Sequence, residues 1–376
     1  MIENLRVLTL SGTPKERGLQ HGESLRGMIA EHYSRWRENI NRDTGLSPQA
    51  YLEEFFEMTH FMPAIERFTP DLLEEVHGLA TGSNQPFLHV LARQCSDEEA
   101  WFRQVLKFER PVPEHCSALA AVGVGGAPNI VAQNMDLGGF SHGFETVLRI
   151  EESGSDLEAL VFTVAGKISL AGMNSCGVAI ACNTVLFLDF NPGGLPEDFI
   201  VRKTLQQGSL AEAVAFMQTV PHASGQNYVL GDPEDVTDLE ASADHVAVFE
   251  PLQNPKRIYH TNHPFVNPAT GSWDAMLARG EREAPDLVAA VKARMTTYAR
   301  CETVKNYIEQ VDQLDVETAK AILCSHEGGV CIHYTDPENN YTAGCLVMVL
   351  DPVQPHLHVA PGPGCQTPFT ILNFNS

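Results

Sequence analysis

The chain has 376 residues, 43% of them hydrophobic, with 48 acids against 25 bases for a formal charge of −23 and a mean hydropathy of −0.13. That balance excludes a polyanion partner such as nucleic acid, because phosphate backbones are held by clustered Lys and Arg. It also excludes a helical membrane protein, since no apolar run approaches the roughly 18 to 20 residues of a span. The N-terminus, MIENLRVLTLSG, alternates briefly without a basic n-region or a long apolar h-region, so no signal peptide is expected. Nine cysteines are an odd number for a disulfide framework. Most sit in apolar settings such as AIAC182NTV and AGC345LVMV, which predicts free thiols and a cytoplasmic location.

In chain order, residues 15–39, 47–62 and 69–82 place apolar residues at three- and four-residue spacing behind Ser, Thr or Asp caps, the pattern of helices. From Cys116 the period changes. Residues 117–124, 129–135, 159–166, 177–185, 226–232, 236–242, 245–251 and 257–262 are short, β-branched or alternating, and punctuated by Gly, Asn or Asp-Pro, as strands are. GVGG at 123–126 reads as a hairpin turn, because no helix pattern follows to make it a phosphate loop. Two helices broken at Gly208 are predicted over 196–220, with further helices over 286–310 and 315–326. Strands return at 330–336, 343–351 and 356–362. Strands in runs with helices in blocks predict a layered α+β protein.

Cys116 stands where the regime changes. Taken alone it reads either as a small buried hydrophobe or as a nucleophile, which needs a base, a group to orient that base and donors for an oxyanion. The polar residues that interrupt otherwise apolar strands beyond it are Gln133, Asn134, Asp136, Asn174, Asn183, Asn227 and Asn262. Asn is a poor strand former, so these positions ask for a reason. Asp136 in MDLGG and Asn262 before His263-Pro264 also fit turn chemistry.

In CSHEGGVCIH, Cys324, His326, Cys331 and His333 invite a zinc reading. Their C-x-H-x4-C-x-H spacing lacks the usual closely spaced cysteine pair, and a strand would send Cys331 and His333 to one face as core groups. No metal and no cofactor are therefore expected.

Together, HCSALAAVGVGGAPNIVAQNMDL, GMNSCGVAIACNT, NYVLGDPEDVTDLEAS, IYHTNH, LCSHEGGVCIHYTD and the early GTPKERGLQHGESLRG resemble the acyl-coenzyme A:6-aminopenicillanic acid acyltransferase family. These are cysteine Ntn hydrolases, more distantly similar to penicillin V acylase and bile salt hydrolase. The resemblance implies a four-layer αββα sandwich and a precursor that cuts itself between His115 and Cys116. That gives a helix-rich segment 1–115 and a catalytic segment 116–376, associated as a heterodimer that could oligomerise further. It implies Cys116 as nucleophile with its own α-amine as base, Asp136 orienting that amine, and Asn262 and Asn183 as oxyanion contributors.

Gln133 stands where bile salt hydrolases carry an arginine, while Ser325 and His326 stand where the fungal acyltransferase has a serine followed by an arginine. Gln133, Asn134, Asn174, Ser325 and His326 are assigned to support the site, with Asn134 and Asn174 tying loops together. The expected function is hydrolysis of a small N-acyl amide through an acyl-enzyme. The alternatives are acyl transfer from a thioester or amide to an amine, and an uncut, catalytically silent binding protein of the same fold.

Overall fold

The computed structural model describes residues 5–103 and 116–375. The first segment begins with strand β1 (Val7–Leu10) and continues as helices α1 (Pro14–Ser24), α2 (Arg26–Thr44), α3 (Pro48–Met58), α4 (Met62–Phe68), α5 (Pro70–Ser83), α6 (Phe87–Arg93) and α7 (Ser96–Trp101). The second opens with β2 (Cys116–Ala121), β3 (Asn129–Gly138), β4 (Glu145–Glu151), β5 (Glu158–Val164), β6 (Ala171–Asn174) and β7 (Ala179–Thr184). Then come α8 (Glu197–Thr204), α9 (Leu210–Thr219), β8 (His222–Gly231), β9 (Val236–Ala243), β10 (His245–Val248) and β11 (Arg257–His260). The chain ends with α10 (Gly271–Glu283), α11 (Pro285–Arg294), α12 (Thr297–Gln310), α13 (Val316–Leu323), β12 (Asn340–Leu350), β13 (His356–Ala360) and β14 (Thr370–Asn373).

The strands form an eight-stranded sheet ordered β1-β4-β5-β6-β7-β8-β9-β10 and a six-stranded sheet ordered β11-β2-β3-β12-β13-β14. The strand period of two builds the layers. On β2, Ala118 and Ala120 face the other sheet together with Val131, Leu160, Ala179 and Val229, while Leu119 and Ala121 face Val304, Ile308 and Leu323 of α12 and α13. On β4, Val147 points between the sheets and Leu148 and Ile150 point at the first-segment helices. Both sheets are thus buried on both faces, and the order helix, sheet, sheet, helix is the expected αββα sandwich.

The first segment is not set apart from this sandwich, because β1 pairs in parallel with β4 at the edge of the larger sheet. Helix α1 starts from a capping box in which Thr13 and Glu16 satisfy each other's backbone N–H, with Pro14 at the first helical position. It then crosses α5 with the two backbones in contact. A Cβ built on Gly18 would lie 1.8 Å from the Glu75 carbonyl oxygen, and one on Gly78 would lie 2.2 Å from that of Lys15. Gly22 and Gly82 close the same crossing one turn on, with backbone atoms at 2.4 and 2.3 Å from the built Cβ positions.

Beside the crossing, Arg17 bonds Glu75 Oε2 through Nε at 3.1 Å. Arg17 Nη2 lies 3.2 Å from Glu152, and Arg202 Nη2 lies 2.8 Å from the same carboxylate. A paired cluster is the form in which buried charges are tolerated.

Residues 330–336, expected as a strand, form an irregular segment instead. Among the described residues its backbone hydrogen bonds to β12 come through Ile332, which donates to Thr342 Oγ1 at 3.0 Å and accepts from the Thr342 N–H at 2.9 Å. The remaining backbone follows the glycines Gly328 and Gly329, both at positive φ, which turn the chain just before this segment. Strand β4 and helix α10 are further elements that the spacing argument had not singled out.

The helix crossing gives a stability test. Gly18→Ala or Gly78→Ala forces the helices apart and should lower stability by about 1 to 3 kcal/mol. Gly27→Ala in α2, where a Cβ meets nothing within 4 Å, should be neutral or stabilising, by up to about 1 kcal/mol. Thermal melts of the three variants beside the parent measure the difference.

Candidate active site

Cys116 is the first residue of β2, in register opposite Met135 of β3. It is 5% exposed, and its Sγ lies 3.7 Å from Met135 Sδ. Its backbone N–H donates to Asn262 Oδ1 at 2.9 Å. Its carbonyl oxygen accepts from Arg300 Nη1.

Arg300 comes from the inner face of α12 and is fully buried. Nη1 also donates to Ser117 Oγ at 3.1 Å, Nη2 donates to Asn262 Oδ1 at 2.6 Å, and Nε donates to Thr296 Oγ1 at 3.1 Å. A guanidinium has no state in which to escape its charge at physiological pH, so burial must be answered by acceptors. Burial lowers the Arg300 pKa, with Asp136 and Cys116 pulling the other way.

Asn262 sits in the loop after β11, and that loop is pinned from two sides. Glu240 of β9 accepts from the backbone N–H groups of Phe265, Val266 and Asn267 and lies 2.9 Å from His260 Nε2. His260 Nδ1 faces the Thr261 carbonyl at 2.8 Å, so both ring nitrogens meet oxygens. Burial disfavours the imidazolium, but Asp238 and Glu240 outweigh it and the His260 pKa is raised. From the other side Thr297 Oγ1 accepts the Asn262 N–H at 2.8 Å. Asn262 Oδ1 faces two donors, which fixes its amide orientation, and one Nδ2 hydrogen goes to the Thr184 carbonyl at 2.9 Å.

Asp136, on β3 in register with Thr342, is buried with neither carboxylate oxygen in good hydrogen-bonding geometry among the described residues. Burial pushes its pKa up to about 7, with Thr342 and the Arg300 charge pulling it down. Cys116 and Asp136 share the wall of a cavity of about 580 Å³, completed by Cys182 and Thr184 of β7 and by Trp36 and Arg93 from the first segment. That volume suits a small molecule.

Strand alternation separates Asn183 from this wall. Its neighbours Cys182 and Thr184 face the cavity, whereas Asn183 accepts from Gln133 Nε2 at 3.1 Å and meets Asn227 Oδ1 at 3.4 Å. Gln133 also donates to the Cys182 carbonyl, so it bridges the two sheets behind β7. Asn134 donates to the carbonyls of Leu323 and Val330 at 2.7 and 2.9 Å. Asn174 donates to those of Leu205 and Gln207 at 3.1 and 2.7 Å. Both tie loops to strands.

Ser325 Oγ accepts from the Glu327 N–H at 3.2 Å and His326 Nδ1 faces the Cys331 carbonyl at 3.2 Å. Neither lines the cavity. His115 and the bond after it lie outside the described residues.

Sequence reasoning missed Arg300. A signal for it exists: on α12 the buried positions Thr297, Arg300, Cys301, Val304 and Ile308 follow helical spacing, so an arginine occupies the apolar stripe. A cation inside that stripe needs buried acceptors, and here they are the Cys116 carbonyl and Asn262.

The family model for acyl-coenzyme A:6-aminopenicillanic acid acyl-transferase matches residues 125–315. The 40 kDa form of acyl-coenzyme A:6-aminopenicillanic-acid-acyltransferase from Emericella nidulans is 25% identical over 269 residues, spanning 69% of this chain and 70% of that protein. Among solved structures, the Caenorhabditis elegans ortholog of N-acylethanolamine-hydrolyzing acid amidase aligns at 14% identity and a TM-score of 0.43, covering 69% of this chain and 100% of that one. Penicillin V acylase from Agrobacterium tumefaciens aligns at 14% identity and a TM-score of 0.43, covering 69% of this chain and 86% of that one. The chain belongs to the acyl-coenzyme A:6-aminopenicillanic acid acyltransferase family.

Proposed function

We propose that the protein is a self-processing amidohydrolase that cleaves a small N-acyl compound through an acyl-enzyme on Cys116. One observation carries this reading. The nitrogen that scission before Cys116 would free is already held at 2.9 Å by Asn262 Oδ1, at the wall of a cavity of about 580 Å³.

In the precursor, Cys116 Sγ attacks the His115 carbonyl carbon; a C–S bond forms, the C–N bond breaks and the thiol proton passes to the departing Cys116 nitrogen. Water then hydrolyses the thioester, leaving a carboxylate on His115 and an amine on Cys116. A free α-amine has a pKa of roughly 7.7 to 8.0. The adjacent Arg300 charge disfavours its protonation, which favours the neutral amine that can act as a base.

In turnover the amine takes the thiol proton as Sγ attacks the substrate carbonyl. The ammonium returns that proton to the departing amine nitrogen as its C–N bond breaks. Water deacylates Cys116, or an amine does so in the transfer reaction catalysed by the enzyme for which the family is named. Asn262 supplies its remaining Nδ2 hydrogen to the oxyanion, and Asp136 orients the α-amine. The acid-rich first segment stays bound as the second chain and closes the cavity.

Denaturing electrophoresis with intact mass should give two chains, the larger beginning Cys116-Ser117-Ala118, that coelute under native conditions. A 41.2 kDa chain that persists through prolonged incubation sinks the self-processing reading. Cys116→Ala should remain one chain and form no acyl-enzyme; if it is still cut before residue 116, another protease makes the cut. Where acyl transfer to an added amine outruns hydrolysis, the activity is an acyltransferase.

Asn262→Ala should lower kcat by about 10²- to 10³-fold, the typical loss for one oxyanion donor. Asn183→Ala, removed from the cavity wall, should lower it far less. Equal losses in the two variants would return Asn183 to the oxyanion site.

Asp136 gives a pH test. Its carboxyl titrates at about 7 in the fold and near 3.9 in an unfolded chain. Between those values the fold retains a proton that the unfolded chain has released, so this residue weakens the fold as pH rises from about 4 to about 7. In an uncut Cys116→Ala background, adding Asp136→Asn should confer a stability gain that grows across this window to the order of a few kcal/mol and then levels. Denaturant unfolding at successive pH values measures it; a pH-independent difference would remove the raised carboxyl from the account.

A further inference from the structure

The irregular segment 330–336 and the turn before it bring three metal-ligating side chains together. His326, Cys331 and His333 each place a donor atom within 4.8 Å of the others. Cys365, over thirty positions along the chain, adds a further thiol: its Sγ lies 3.5 Å from Cys331 Sγ and 3.1 Å from His333 Nε2. Cys324, the first cysteine of the motif, turns elsewhere, with its Sγ near Gly364 beside that of Cys345.

We propose that His326, Cys331, His333 and Cys365 form a structural zinc site. Two thiolates and two imidazoles are a donor set suited to zinc. Tetrahedral zinc, with Zn–S of about 2.3 Å and Zn–N of about 2.0 to 2.1 Å, sets its donor atoms roughly 3.3 to 3.8 Å apart. The 3.5 Å spacing falls inside that range and the 3.1 Å spacing just below it, so side-chain movements of a few tenths of an ångström to about an ångström admit the ion.

Both imidazoles also have the outer partners that metal-bound histidines require. His326 Nδ1 faces the Cys331 carbonyl at 3.2 Å, which places the proton there and leaves the Nε2 lone pair for the metal. His333 Nδ1 lies 3.1 Å from the Gln366 side-chain amide, whose oxygen accepts the ring proton once the amide is turned over. Entry is open, since Cys365 and His326 are exposed.

Binding releases the two thiol protons to solvent and leaves the metal as Zn²⁺, with no change of oxidation state. The ion would join the segment around residue 331 to the C-terminal segment around residue 365. Between two of its ligands stands Ile332, which lines the active-site cavity. The zinc therefore fixes one wall of the substrate pocket without touching the reacting atoms.

The test uses the full chain, expressed with zinc and dialysed against metal-free buffer under reducing conditions. Elemental analysis should find about one zinc for each chain containing Cys331. Replacement by Co²⁺ should give thiolate-to-metal charge transfer and the intense visible bands of a tetrahedral site. Cys365→Ser and His333→Ala should each lose the metal, and hydrogen exchange should quicken in residues 325–335 and 361–369. Cys176→Ser, at an exposed cysteine outside this cluster, should keep it. Zinc retained in both ligand variants, copper bound in its place, no stoichiometric metal, or a Cys331–Cys365 disulfide found instead would each overturn the proposal. None of these readouts depends on whether the chain is cut before Cys116.

Discussion

The site depends on a guanidinium taken out of water. Arg300 is fully buried, and leaving one of its donors unanswered there would forfeit several kcal/mol. Its bonds to the Cys116 carbonyl and to Asn262 Oδ1 clamp the start of β2 to the loop after β11. The same Oδ1 takes the Cys116 N–H, so one amide oxygen and one cation set the position of the first residue of the strand. The Glu240–His260 pair and Thr297 then hold that loop from behind. The geometry of Cys116 is therefore set by three elements far apart in sequence, which is how a strand end becomes a defined chemical position.

Strand period decides which candidate residues share this position. Cys116, at the end of β2, looks out of the intersheet core into the cavity, while Gln133 and Asn183 saturate each other between the sheets. Polar residues inside a sandwich must be answered locally, because an unpaired amide is costly there. The network of Gln133, Asn183, Asn227 and Asp238 answers its amides across the two layers, with one Asp238 carboxylate oxygen left over among the described residues. It leaves Cys182 and Thr184 to line the cavity.

Much of this was legible in the sequence because period and punctuation are local. The change of regime at Cys116, the turn at Gly125 and Gly126, and the break at Gly208 between α8 and α9 all rest on neighbouring residues. What was not legible rests on distance. Residues 330–336 carry alternation enough for a strand, but they lack a ladder, since only Ile332 reaches Thr342. Arg300 reads as one helical cation until α12 is laid against β2. Cys365 has no motif around it, and only the packing of the C-terminal segment brings it to Cys331. Spacing within CSHEGGVCIH does not disclose the fourth donor of the proposed site, because that donor arrives from a second stretch.

The same reasoning bears on what a cut before residue 116 would leave joined. Helix α7 is short, but its acids reach deep into the second segment. Asp97 accepts from Thr184 at 2.5 Å and from Gln226 at 2.8 Å, and Glu98 accepts from Ser224 at 2.6 Å and from the Glu197 N–H at 3.1 Å. Burial and the nearby Asp97 push the Glu98 pKa up to about 8, so at neutral pH this acid largely keeps its proton and avoids a buried charge. At the other end of the segment β1 is zipped to β4, and just after it Arg17 shares the Glu152 carboxylate with Arg202. Scission of one peptide bond removes none of these contacts. A segment fixed through its first strand, the first helix after it and its last helix would thereby stay in place as a wall of the cavity after such a cut.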